Sequence, residues 1–157
     1  MTPGRAPVTL LVLTFNEERN LPACLGSVDG WAQDIVVVDS GSTDRTVAIA
    51  EAFGATVLVH PFDTHARQWQ WALANASLST EWVLALDADQ RLMPDLKAEI
   101  VERLKHPGDA NGFFLNRRQI FRGRWIRHGG YYPKYLLKLF RRPAVAIDET
   151  ELVDHHF

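Results

Sequence analysis

The sequence predicts an α/β domain built on a mostly parallel sheet with helices on both faces. Three observations lead there. Over the first 105 residues, short apolar runs alternate four times with segments of helical periodicity. Those runs are rich in Val, Leu and Ile along their whole length, as strands buried on both faces must be. Three of them end in polar clusters, Thr14–Glu18, Asp39–Asp44 and Asp87–Gln90, on the side where parallel sheets bind ligands.

Val8–Thr14 is the first strand. Asn16 follows as an N-cap with Glu17 and Glu18 in the first turn, which predicts a helix from there to about Val28. Asp34–Asp39 is the second strand, and Ser40-Gly41-Ser42-Thr43-Asp44 turns the chain into a helix that runs through Phe53 and stops at Gly54. Ala55–His60 is a third strand, Thr64–Ala76 a third helix, and Glu81–Leu86 a fourth strand. Pro94–Lys105 is a helix with proline near its first turn and basic residues near its end. Beyond Gly108 the helices stop. Gly112–Phe121, Leu136–Arg141 and Val145–Ile147 read as strands, with breaks at Gly123, Gly129-Gly130 and Pro133. Residues 1–107 are expected to form one half and 108–157 a strand-rich segment of the same domain, cut short at Phe157.

A chain of 157 residues can bury one substantial core, and its 46% hydrophobic content places it among globular rather than disordered proteins. No apolar run is long enough to cross a bilayer, and Met1–Pro7 has no export signal, so the cytoplasm is the expected location. The single cysteine, Cys24, excludes an intrachain disulfide and shares helical spacing with Leu21, Leu25 and Val28, as a core residue does. The net charge of −2 hides an asymmetry. Nine of the 17 Lys and Arg lie between Arg117 and Arg142 with no Asp or Glu among them, leaving eight against all 19 acids elsewhere. This basic segment also carries Phe121, Trp125, Tyr131, Tyr132, Tyr135 and Phe140. Such a mixture suits a phosphorylated acceptor, an anionic lipid surface or nucleic acid, or it is a solvated edge with its aromatics in the core.

The chemistry concentrates at the strand ends. Asp87 and Asp89, two apart, project to one side if the extended geometry persists, and two hard oxygen ligands suit Mg²⁺ or Mn²⁺ completed by phosphate oxygens. Asp39 emerges from Val36-Val37-Val38 where a carboxylate can accept from a ribose or base, or stabilise a turn; Asp44 fits the turn part better. No glycine-rich phosphate loop occurs, and there is no cysteine pair for zinc and no nucleophile elbow.

Together, T-F-N-E-E at Thr14–Glu18, V-V-V-D-S-G-S-T-D-R-T at Val36–Thr46 and E-W-V-L-A-L-D-A-D at Glu81–Asp89 resemble family 2 glycosyltransferases of the GT-A fold. The tail, from Tyr132-Pro133 to Leu139-Phe140-Arg141-Arg142, resembles the subgroup with bacterial lipopolysaccharide-core β-glucosyltransferases. The resemblance implies a nucleoside-diphosphate sugar donor, with UDP expected. It implies nucleotide contacts at Thr14, Asn16, Glu17 and Asp39, and at Asp87 and Asp89 for ribose, diphosphate and a Mg²⁺ or Mn²⁺ ion. Transfer would go to a saccharide or glycolipid acceptor with inversion, at most peripherally on a membrane's inner face, and without nucleic acid. The basic segment would serve the acceptor. The catalytic base falls to Asp154, with Glu149 and Glu151 behind it, because Val153-Asp154-His155 stands where the subgroup has Val-His-Glu. Gln90 replaces the Glu that usually follows D-A-D, and Trp69-Gln70 a Lys/Arg-Asn pair. The rival readings are a nucleotidyltransferase and a non-catalytic or degenerate nucleotide- or Mg²⁺-binding module.

Overall fold

The alternation resolves into four parallel strands in a computed structural model that describes residues 4–147. They are β1 (Ala6–Thr14), β2 (Ala32–Asp39), β3 (Thr56–Val59) and β4 (Trp82–Asp87), connected by α1 (Leu21–Gly26), α2 (Thr46–Ala52) and α3 (His65–Asn75). α4 (Pro94–Lys105) leads on to β5 (Gly112–Asn116), β6 (Gln119–Phe121), β7 (Arg124–Ile126) and β8 (Tyr135–Arg141). The six-stranded sheet has the order β3-β2-β1-β4-β8-β5, with β6 and β7 paired apart from it. β8 runs antiparallel to both of its neighbours, so the expected parallel core acquires an antiparallel flank.

Period-2 alternation feeds two cores, one on each face. Val8, Leu10 and Val12 of β1 point to Leu21, Cys24 and Leu25 of α1, Ala50 of α2 and Ile100 of α4. Leu11, with Val36, Val38 and Val83, meets Trp69, Ala72 and Leu73 of α3 on the other face. Each Val, Leu and Ile among them contributes about 1.5–3 kcal/mol by leaving water. β1 lies between β2 and β4, and its register sets Thr14 beside Asp39 and Leu13 beside Asp87. Three strand ends thus lie next to one another on a single edge.

Three local expectations differ from the structure. Asn16 does not cap α1: it has a left-handed φ of 53°, and the helix begins only at Leu21, ahead of Pro22. Gly112–Phe121 is two strands, because the partner of β5 starts at Tyr135 and the Asn116 Oδ1 accepts from the Lys134 amide to close the pairing. The chain then leaves the sheet and returns through β6 and β7, whose two-residue turn, Arg122-Gly123, has φ of 49° and 74°. Positive φ at both positions matches the twist of a tight hairpin and favours glycine at the second. Val145–Ile147 forms no strand. Pro143 has no amide proton to continue a ladder, and Val145 and Ile147 pack irregularly against the α3-side core.

Candidate functional site

The loops after β1 and β2 are clasped together by the residues that sequence reasoning assigned to the nucleotide. Asp39 is 1% exposed. Its Oδ1 accepts from the Thr14 hydroxyl at 2.8 Å and the Ser42 hydroxyl at 2.6 Å, and its Oδ2 from the amides of Gly41 at 3.0 Å and Ser42 at 2.8 Å. Four donors fill the acceptor positions of a carboxylate. Gly41, with a φ of 91°, supplies the backbone bend that aims its amide back at Asp39. Asn16 Oδ1 accepts from the Thr43 amide, and the amides of Asn16 and Glu17 donate to the hydroxyls of Ser42 and Thr46. Asp44 takes the expected turn position, accepting from the Thr46 amide and hydroxyl and from the Glu18 amide. Desolvation raises its carboxyl, but those donors together outweigh it and hold it below the usual range. The structure therefore brings Thr14, Asn16, Glu17 and Asp39 together in one network. Within it Asp39 holds the turn after β2.

Asp87 and Asp89 stand one strand further along, outside that network. Asp87 ends β4 half-buried, with the ammonium of the buried Lys138 3.3 Å from its Oδ2. A tight turn follows, in which the Gln90 amide donates to the Asp87 carbonyl and the Gln90 Oε1 accepts from the Asp87 amide. That second bond is one a Glu at position 90 could also accept, so the Gln90 departure keeps the turn. Ala88 is buried beneath it and Asp89 is exposed at its tip. Among the described residues no third His, Cys, Asp or Glu joins this pair into a metal cluster. Two carboxylates, one already balanced by a lysine, fit a cation that takes most of its oxygens from water and a diphosphate. They do not fit an all-protein cage.

A cleft of about 560 Å³ opens beside these loops, lined by Thr14, Glu17, Ser40, Phe62, His65 and Gln68 among others. That volume falls in the range of small-molecule sites. Its far wall comes from the chain after β3, a fourth strand end that sequence reasoning passed over; His60-Pro61-Phe62 at the carboxyl end of a predicted strand was the available signal. Gln68 is 1% exposed. Its Oε1 lies 2.7 Å from His60 Nδ1, and its Nε2 donates to the His60 carbonyl and to the Ser40 hydroxyl. His60 is stacked on Trp71 with ring centroids 4.1 Å apart, which fixes its ring plane. A second depression of about 390 Å³, lined by Arg5, Asp29, Asp34 and Thr56 among others, lies at the opposite end of β2 and touches none of the predicted site residues. The catalytic-base candidates Glu149, Glu151 and Asp154 lie outside the described residues.

The sequence profile described as glycosyl transferase family 2 matches residues 9–155. The chain belongs to this family. It is 31% identical over 159 residues to the lipopolysaccharide core biosynthesis glycosyltransferase LpsC of Rhizobium meliloti, covering 95% of this chain and 56% of that one. An uncharacterized glycosyltransferase of Rickettsia bellii is 37% identical over 93 residues, 59% of this chain and 31% of that protein. The chain thus spans about a third of the length of its Rickettsia relative. Among solved structures, S. aureus TarS 1-349 superposes with a TM-score of 0.58 at 20% identity, over 86% of this chain and 47% of its own. M. tuberculosis glucosyl-3-phosphoglycerate synthase gives 0.54 at 24% identity, over 69% and 43%. These two likenesses support the GT-A fold.

In this family 2 domain Cys24 is fully buried, as its helical spacing predicts, and its thiol donates weakly to the Asp87 carbonyl at 3.7 Å. Burial, followed by the charges of Asp87, Asp89 and Glu17, pushes the thiol up to about 12. In the unfolded chain it ionises near 9, so the folded state alone retains the proton above that pH. The resulting contribution is complete below pH 9 and is lost as pH rises toward 12, by about 1.4 kcal/mol per pH unit. Urea titrations of the wild type and Cys24→Ala should therefore show a stability gap that shifts against the wild type on going from about pH 8 to about pH 10.5. Parallel pH profiles would reject this account.

Proposed function

We propose that this domain transfers a sugar, with inversion, from a UDP-sugar to a saccharide or glycolipid acceptor, assisted by Mg²⁺ or Mn²⁺. One juxtaposition carries the reading. An apolar-walled cleft ends at Thr14, Glu17 and Ser40, and the neighbouring strand delivers Asp87 and Asp89 to the same edge. A flat base fits the cleft against Pro61 and Phe62. Because the Ser40 hydroxyl accepts from Gln68, its own proton is free to be donated to a base carbonyl. Asp39 serves as the positioning residue that holds Ser40 and the loop in place. Asp89, with Asp87 behind it, would hold the divalent ion, which supplies Lewis-acid stabilisation of charge on the departing diphosphate. Lys138 adds a fixed positive charge behind Asp87. The acceptor hydroxyl attacks the anomeric carbon from the face opposite the diphosphate while a carboxylate removes its proton. Asp154 remains the first candidate for that base, then Glu149 and Glu151. A single displacement inverts the centre. The name of the Rhizobium meliloti relative, which matches 95% of this chain and is itself covered over 56% of its length, supports a saccharide acceptor of the cell envelope.

Thermal-shift assays with UDP, other nucleoside diphosphates and their sugars, each with and without Mn²⁺, test the reading. At about a hundredfold excess over Kd a ligand stabilises by roughly 2.7 kcal/mol, or roughly 5–10 °C for a domain of this size. The largest shift is expected with UDP or a UDP-sugar plus Mn²⁺. A shift with Mg²⁺ or Mn²⁺ but with no nucleotide would overturn the transferase reading in favour of a non-catalytic cation-binding module.

A further inference from the structure

We propose that the β6–β7 hairpin docks the domain on the surface of an anionic lipid bilayer. The structure divides the nine cations of the basic segment into two groups. Lys138 is buried against Asp87, Arg141 pairs with Glu81 at 3.2 Å and lies over the Trp82 ring, and Arg142 donates to the Leu73 carbonyl. Arg117 and Lys134 are half-buried. The four exposed ones, Arg118, Arg122, Arg124 and Arg127, all lie on the hairpin or at its two feet. No Asp or Glu lies between residues 117 and 142 to neutralise them within the segment.

Between these arginines the tip presents Ile120 and Phe121, which are 56% and 59% exposed. A soluble polyanion would engage the arginines and gain nothing from Ile120. A bilayer interface accepts both, the guanidinium groups at lipid phosphates and the apolar pair at the acyl boundary. The tip is also held in shape. Trp125 has Arg118 at 4.7 Å and Arg127 at 4.3 Å over its ring and meets Tyr132 edge-on at 4.7 Å. The hairpin leaves the sheet after Asn116 and rejoins it at Tyr135, residues paired with each other at the start of β8, the strand whose Lys138 reaches Asp87. It therefore springs from the same edge as the candidate active site, and docking would turn that edge toward the bilayer. The inference stands independently of the donor reading.

The experiment is sedimentation of the full chain with phosphatidylcholine vesicles, with and without about one-third phosphatidylglycerol. Binding is expected only to the anionic vesicles, and it should weaken as salt rises because exposed charges are screened over about 8 Å at physiological ionic strength. Arg122→Gln with Arg124→Gln, and separately Ile120→Ser with Phe121→Ser, should each weaken binding by roughly tenfold or more. Arg118 and Arg127 are left in place because they cover Trp125. Melting temperature and UDP affinity should stay at wild-type values in both double variants, which separates this inference from the donor site. Equal sedimentation with both vesicle types, or unchanged binding in both variants, would overturn the proposal. So would capture of a phosphorylated saccharide or a nucleic acid in solution without any vesicle binding.

Discussion

Asp89→Ala is expected to slow sugar transfer by roughly two to three orders of magnitude while leaving the melting temperature unchanged. Asp89 is exposed at the tip of the turn after β4, so its side chain is no part of the core. In the proposed mechanism its removal deletes a hard oxygen ligand at the point where negative charge grows on the leaving diphosphate. Loss of such stabilisation, several kcal/mol, corresponds to roughly a hundredfold to a thousandfold in kcat. Calorimetry of UDP with and without Mn²⁺ should show that the variant retains only the metal-independent part of binding. Equal UDP affinity for both proteins in both conditions would remove the metal role from Asp89.

Asp39→Ala should behave in the opposite way, as a stability lesion first. It strands two amides and two hydroxyls that now converge on one carboxylate. Hydrogen bonds to a charged group contribute about 1.5–3 kcal/mol, so a net loss of about 3 kcal/mol is a low figure for four of them. For a domain of this size that lowers Tm by roughly 6–12 °C. UDP binding should weaken too, because the loop bearing Ser40 is no longer held. Asp39→Asn should recover part of both, since its remaining oxygen can serve the amides while the hydroxyls reverse toward its NH₂ group. An unchanged Tm with UDP binding lost would instead make Asp39 a direct ligand to the nucleoside.

The contrast between these two aspartates marks where sequence reading stops. A strand-end acid has the same local pattern whether it faces a ligand or its own loop. The donors that meet Asp39 in the fold are partly local, at Gly41 and Ser42, but also include Thr14, 25 residues away. Asn16 is similar: its side chain can cap a helix or clasp a distant loop, and the Thr43 amide, 27 residues on, selects the clasp. Strands β1, β2 and β4 were legible because burial on both faces leaves uninterrupted runs of Val, Leu and Ile. The basic segment was legible as a composition but not as a structure. Nothing along the chain separates Lys138, 4% exposed beneath Asp87, from the exposed Arg122 and Arg124.

The position of β8 has a consequence for how the chain acquires its structure. Among the described residues β8 is the last strand to be made, yet it lies between β4 and β5 in the sheet. β5 therefore has no partner of its own when it leaves the ribosome, and the free edge of β4, with Val83 and Leu84, stays unsatisfied until Leu139 and Phe140 have been synthesised. Exposed apolar strand edges pair readily with other chains. Nascent or partly unfolded molecules of this domain should thus self-associate through β4. Pairing with β8 closes that edge.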